Sequence, residues 1–411
     1  MKSIKTSIFL TAFLFVLIVC CGSASAATYN IDSTKSIQTY INNAQPGDTI
    51  NLASGTYNQH NIVVDKNLTI TGPTTSSKPS SVINAREKSG VFTINSGVSA
   101  TLKYLTITNG STTNDGGGIV NYGNLTVSHC YIIHNTADGG GGICNNGGTV
   151  TVAGSYISSN SGDIGGGILN VFSLSATHST MTLTGCHISN NTATSAGGGI
   201  YNNVAYLTMK NSYIYSNTAT IGGGIFNHDG NLIVSGCDFG MNKATGATDS
   251  DGNAVLNFSN SSKTILHFNR FNDPYRGHEI SAQNIGTVDA KYNWWGSNKN
   301  PSSKVSGSVI YTPWLVLRAK ASPNPVKSSK TSVVTANLWY DSNKKYHNPI
   351  NGHLLNGVTV AFTATLGKIK SQASTVNGSA KNTFTSGTTK GKARISIKLN
   401  NQTIYTYITI S

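Results

Sequence analysis

Through the middle of the chain, apolar and polar residues recur in one phrase: apolar-x-apolar-x-x-(Cys/Ser)-x-apolar-x-x-Asn. It reads LTVSHCYIIHN, VTVAGSYISSN, MTLTGCHISNN, LTMKNSYIYSN and LIVSGCDFGMN, ending at Asn135, Asn160, Asn191, Asn217 and Asn242. A second phrase, a glycine run followed by Ile-x-Asn, recurs in the same frame and places Asn121, Asn145, Asn170, Asn202 and Asn227 at spacings of 24, 25, 32 and 25. A fixed period of this length means stacked units. Each unit holds three short extended pieces, which predicts one coil of a parallel β-helix with three strands and three turns. Alternation sends Ile119, Leu125, Val127, Cys130 and Ile132 inward, while Thr126 and Tyr131 face out.

Stacking explains the unusual residues at the corners. Successive coils lie about 4.8 Å apart, so equivalent residues form columns. Glycine runs at the same corner of every coil fit a backbone that needs positive φ and close approach to its neighbours. Asparagine tolerates the left-handed turn conformation, and its amide can donate and accept along a column. Cys130, Cys186 and Cys237 share a column with Ser155 and Ser212 between them, so neighbouring cysteines lie two coils, about 9.6 Å, apart. That is beyond disulfide reach, and the expectation is buried, reduced thiols.

The ends are less regular. Ile37 to Ala44 reads as a short helix that could cover the open edge of the first coil, as a stack of strands requires. DSDGNAVLN (Asp249 to Asn257) is a degenerate copy of the glycine phrase, and AKYNWWGSNKNP closes the array with Trp294 and Trp295 as a terminal plug. After YTPWLVLRAKASPNP the texture changes to alternating strands separated by Asn-Gly and Gly turns, which predicts a β-sandwich. The expected division is residues 1–26 as a secretory signal, 27–313 as the β-helix with its cap, and 314–411 as the sandwich.

Composition and charge sharpen this picture. Only 11% of the 411 residues are charged, and the abundance of Gly, Ser, Thr, Asn and Tyr suits strands and tight turns. Lys2 and Lys5, the apolar run Ile8 to Val19 and the Ala24-Ser25-Ala26 pattern read as an export signal, too short for a comfortable membrane span. Cys20 and Cys21 raise a lipid anchor as an alternative, against which Val19 is a poor small-residue match. The expectation is a mature chain outside the cell, at the surface or in the wall, without a transmembrane segment. Ala27 to Thr312 holds 14 Lys/Arg against 14 Asp/Glu, whereas Trp314 to Ser411 holds 13 Lys/Arg against Asp341 alone. A cationic module on an exported protein points to polyanionic neighbours, with plain solubility as the simpler reading. No nucleic-acid motif is present.

The combination of PGDTINLASGTY, the GGGI-x-N repeats with their CxIxxNTA-like partners, YNWWGSNKNP and the terminal module resembles the adhesin-like surface proteins of methanogenic archaea. The coils are similar to the pectin-lyase-like superfamily and to the repeats of chlamydial polymorphic membrane proteins. The last module resembles the bacterial Ig-like domains of invasins. The resemblance implies an all-β chain: a right-handed parallel β-helix followed by an Ig-like β-sandwich, in a surface protein whose partners are cell-wall or host-cell glycans and surface proteins. One module and no hydrophobic tail leave the mode of attachment open. The fold itself hosts many functions.

Candidate chemistry is sparse. Glycoside hydrolysis needs two facing carboxylates, and lyase chemistry a carboxylate-bound cation with a base. The best coils, Gly116 to Ala244, hold only Asp138, Asp163, Asp229 and Asp238, and Arg86, Arg270 and Arg276 are read as lying outside the regular coils. No catalytic residue is therefore assigned, with a polysaccharide lyase or hydrolase and a structural envelope component as alternatives to an adhesin. Asp115, Asp138 and Asp163 precede their Ile-x-Asn phrases by four, five and five residues and are expected to form a short column. Such a column would either bind Ca²⁺ or consist of separate turn caps in water. DSDGNAVLN lacks the closing Glu of an EF-type loop. His129, Cys130 and His134 alternate in direction and do not converge on a metal. The coil between Asn170 and Met181 carries about six extra residues relative to its siblings, which must leave the stack as a loop. Phe172, Ser173, Ser175, Thr177, His178 and Thr180 on that loop are the candidate ligand contacts, suited to neutral sugar or protein. Asn-x-Ser/Thr sequons at Asn67, Asn109, Asn124, Asn190, Asn257, Asn260, Asn377 and Asn401 could carry glycans.

Overall fold

The computed structural model describes residues 25–74, 78–173, 178–248, 251–260, 262–275 and 277–411. The repeats wind into a parallel β-helix walled by three long sheets. Among the described residues, sheet I has twelve strands, from Thr28–Ile31 to Val309–Ile310, and contains Asn124–Ser128 and its copies. Sheet II has ten, including Ile119–Asn121, and sheet III nine, including Tyr131–Ile133. The register is that of the repeats: Ile119 pairs with Ile143, Leu125 with Val150 and Tyr131 with Tyr156. Ile119, Leu125, Val127, Cys130 and Ile132 are buried, Thr126 is exposed and Tyr131 half-buried.

A fourth, short sheet departs from the three-strand expectation. Ser161–Ile164, Thr192–Ala196, Thr218–Ala219 and Lys243–Ala244 form sheet IV between the end of sheet III and the glycine corner. Its polar strands pair through the backbone, so they leave little hydrophobic signature. Ala196, Ile164 and Ile221 pack on Phe226, Leu256 and Tyr201, which stand on the outer face of sheet II. Toward the N-terminus sheet IV thins to the isolated bridges Thr136–Ser161 and Ser111–Thr136.

Both asparagine columns are fully buried ladders. The amide of Asn121 donates to Asn145 at 2.8 Å, and the chain of bonds continues through Asn170, Asn202 and Asn227 to Asn257. In the second ladder Asn135, Asn160, Asn191, Asn217 and Asn242 are joined at 3.0 Å per rung. Each of these amides also donates to a backbone carbonyl one coil away, as Asn160 does to Ile132 at 2.9 Å. Buried polar corners thus leave few groups unpaired, which is what makes them tolerable. Glycines serve the adjacent corner in two ways. Gly165 takes a φ of +58°, and a Cβ on Gly167 would sit 2.7 Å from the Gly199 carbonyl oxygen. Only a residue without a side chain meets both demands.

The ends are closed differently. The helix Ile37–Asn43, capped by Ser36, buries Ile37 and Ile41 over the first coils. At the other end Trp295 stacks on Phe271, itself stacked on Phe239, each pair at 4.9 Å. Trp294 does not share that plug: it joins the core of the C-terminal module and donates its indole N–H to Asn400 at 2.8 Å. One tryptophan thus closes the coil and its neighbour faces the module.

The C-terminal region is antiparallel. Leu315–Ser322, Thr331–Asp341, Ser379–Ser386 and Gly367–Ile369 form one four-stranded sheet. Gln372–Ser374, Thr359–Ala364, Gly391–Leu399 and Gln402–Ile410 form the other. Leu317, Val334, Phe362, Phe384, Ile395 and Ile408 interlock between them in one core. Among the described residues no helix is long and apolar enough to cross a membrane.

Candidate functional site

A groove opens where sheet IV gives out and the outer face of sheet II is uncovered. It encloses about 590 Å³ and is lined by Thr93, Thr112, Asn114, Asp115, Tyr122 and Asp138 among others. Asp115 is half-buried, and desolvation raises its pKa. The Cys144 thiol, hydrogen-bonded to the carboxyl, opposes that shift, and the charge of Asp138 adds to it. Tyr122 is pushed up by desolvation and by its neighbours Cys144 and Asp115. A groove with hydroxyls, amides and carboxyls can hydrogen-bond sugar hydroxyls.

The aspartate column forms only in part. Asp163 N–H donates to the Asp138 carbonyl at 2.8 Å, and Asp138 N–H to Asn114, not Asp115, at 3.1 Å. Asp115 stands one residue out of register because its coil reaches Ile119 one residue sooner, and its carboxyl crosses Gly139 toward Cys144. Asp163 is bonded by the Thr194 hydroxyl. Among the described residues no group of three or more His, Cys, Asp or Glu is placed to hold a metal ion. Asp138 and Asp163 thus lie in register in adjacent coils, and Asp115 stands out of that register.

The inserted loop leaves the stack after Val171. Phe172 and His178 face each other at 6.2 Å, and His178 rests 4.9 Å from Tyr206 of the next coil. Ser173 is half-buried, while Ser175 and Thr177 lie outside the described residues. Thr180 is not part of the loop: it opens the strand Thr180–Thr184, its N–H bonded to Gly148. Ser179 is fully buried, accepts from Gly147 N–H at 2.7 Å and donates to the Val171 carbonyl, latching the loop shut.

A column on sheet III went unread in the sequence. Tyr131, Tyr156, His187 and Tyr213 stack face to face at 4.5, 4.4 and 4.5 Å. Desolvation lowers the pKa of His187, favouring the neutral imidazole within the stack. These are the residues that follow Cys or Ser in each copy of the first phrase, so aligning the copies would have revealed them. Because each inner ring has both faces covered by its neighbours, Tyr156 and His187 zip the coils together and offer a ligand only their edges.

The column ends at Asp238 and Arg270. Arg270 is not outside the coils: Arg270–Phe271 is the last strand of sheet III, paired with Asp238. Its guanidinium binds Asp238 at 2.7 and 2.6 Å and the Tyr215 hydroxyl at 2.6 Å. Burial raises the pKa of Asp238, and Arg270 opposes that shift. With Val358, Thr359 and Leu399 these residues line a cavity of about 290 Å³ between β-helix and module. Arg270 is engaged by two partners, both within the β-helix, and lines the junction from that side. Arg86 instead lies on the surface, bonded to Asn58, and Arg276 lies outside the described residues.

Comparison with known proteins adds no family. No family model and no curated protein matches the chain. Among solved structures, a glycosyl hydrolase family 2 member from Bacteroides cellulosilyticus is 18% identical over 23% of this chain and 14% of its own, with a TM-score of 0.19. The Yersinia pseudotuberculosis adhesin InvE is 31% identical over 23% of this chain and 27% of its own, with a TM-score of 0.18. The tailspike protein gp49 from Pseudomonas phage LKA1 is 10% identical over 93% of this chain and 66% of its own, with a TM-score of 0.27. The chain spans less than two thirds of each of these proteins, and at such TM-scores none of them carries an argument about activity.

Proposed function

We propose that the chain is an exported, non-enzymatic surface protein of the adhesin-like kind. Its β-helix offers polar grooves to glycans or to the surface proteins of a partner cell, and its basic C-terminal module holds envelope polyanions. The observation that carries this reading is a separation of charge. Of the module's 14 ionised residues, 13 are Lys or Arg. The single carboxylate, Asp341, is buried and bonded to His347 at 2.9 Å and to the N–H groups of Asn343 and Lys345. The module therefore presents cations to solvent with no surface Asp or Glu side chain to balance them, a field that attracts anions. Purified mature chain applied to a glycan array, with released sugar assayed in parallel, tests the reading. Binding without release supports it, and catalytic release of sugar overturns it.

A polysaccharide-cleaving enzyme is the second reading, favoured by Asp115 and Asp138 lining one groove with Asp115 raised. In that case Asp115→Asn and Asp138→Asn would each abolish sugar release.

A further inference from the structure

The hairpin of Gly391–Leu399 and Gln402–Ile410 carries a row of cations and tyrosine rings on its outer face. Alternation buries Ala393, Ile395, Ile397 and Leu399 and leaves Lys392, Arg394 and Lys398 exposed. On the partner strand Ile408 and Ile410 are buried, while Tyr405 and Tyr407 stand 53% and 44% exposed. The register sets Arg394 opposite Tyr407 and Ser396 opposite Tyr405. The Arg394 guanidinium carbon lies 5.2 Å from the centre of the Tyr405 ring, and Lys392 Nζ 4.7 Å from that of Tyr407. Among the described residues none of these three cations has an ion-pair partner.

Three features select the ligand. The cations repeat along the strand, Lys392 to Lys398 covering about 20 Å, so they match a charge that also repeats. Two of them are held over aromatic rings before any ligand arrives, which lowers the ordering cost of binding. Between them lie the hydroxyls of Ser396, Thr403 and Thr409, which can bond sugar hydroxyls. Nucleic acid would need free ring faces for its bases, and here cations lie over them. A membrane surface would need aliphatic groups to insert, and the outward residues are cations, hydroxyls and two tyrosines. We propose that this face binds an acidic polysaccharide lying along the strands, its carboxylates on Lys392, Arg394 and Lys398. The inference rests on the polyanion reading of the module and places it on one surface.

The test uses the full mature chain and polygalacturonate, with neutral dextran as control. The triple variant Lys392→Ala/Arg394→Ala/Lys398→Ala should weaken binding about tenfold or more. The variant Lys368→Ala/Lys370→Ala/Lys381→Ala removes the same charge elsewhere on the module and should cost less than about threefold. Tyr405→Ala/Tyr407→Ala, which leaves the charge untouched, should cost about fivefold with the melting temperature unchanged. Equal losses from the two charge variants would overturn this site while leaving the polyanion reading standing. Failure of the wild-type chain to bind polygalacturonate would sink both. Displacement by single-stranded DNA as readily as by the polysaccharide, at equal anion concentration, would overturn the choice of ligand.

Discussion

Asn242 donates its backbone N–H to the carboxyl of Asp273 at 2.7 Å, at the place where the second asparagine ladder would have its next rung. Asp273 is buried, its own N–H bonds Glu279 at 2.9 Å, and among the described residues its Oδ2 and the Oε2 of Glu279 have no hydrogen-bond partner. Burial first, and then the charge of Glu279, raise the pKa of Asp273 well above the usual carboxylate range. The folded chain therefore keeps this proton to higher pH than the unfolded chain, whose carboxyl pKa is about 4. This contribution to stability is complete below pH about 4 and is lost as pH rises through the folded value. Asp273→Asn should make the chain more stable than wild type at pH 8 and no different at pH 4, read by urea unfolding. A variant less stable at pH 8 would contradict the assignment.

The ladder itself should be costly to break. Asn191 Oδ1 accepts from the N–H and the amide of Asn160, and its own amide donates to Ile157 and Asn217, all within 3.0 Å. Asn191→Ala leaves these groups buried and unpaired, and a loss of about 3 kcal/mol or more is expected. The neighbouring Asn190 is exposed, and Asn190→Ala should cost about 1 kcal/mol or less. Equal losses would mean that the corner is hydrated.

Cys130, Cys144, Cys186 and Cys237 are buried and unpaired. Burial pushes the thiols of Cys130 and Cys237 up to about 12. Native chain should resist iodoacetamide at pH 8, and all four thiols should react in denaturant. A disulfide between any two cysteines of the Cys130 column, found by mass spectrometry, would break the coil register.

Removal of residues 173–177 should leave the melting temperature unchanged, because the latch at Ser179 and the ladder strand from Thr180 remain. Ser179→Ala, which strips the bond from Gly147 N–H, should lower it. The reverse order would show that the loop supports the coil.

Most of the β-helix could be read in the chain because each coil repeats the same buried decisions. Ile119, Leu125 and Ile132 face the core, and Asn121 and Asn135 turn the corners. What escaped was written in other terms. Sheet IV is held by backbone bonds between residues such as Thr192 and Thr218, which carry no apolar period. Asp115 fell out of its column through a one-residue difference in coil length. The stack of Tyr131, Tyr156, His187 and Tyr213 was present in the aligned phrases, but outward positions carry no burial signal. The pairing of Arg270 with Asp238 joins residues of successive coils and became visible only with the register. Trp294 could be placed only once the module beside it was in view.

The central claim is that the C-terminal module binds polyanions by charge. It is tested most directly by the affinity of the mature chain for polygalacturonate measured between low and high NaCl. Surface cations facing a polymer are screened once the Debye length falls to about 3 Å near 1 M salt. Binding should therefore weaken steeply and vanish at high salt, while a truncated chain ending before Trp314 should bind weakly at every salt concentration. Retention of the full chain at 1 M NaCl, or equal binding by the truncated chain, would contradict the account.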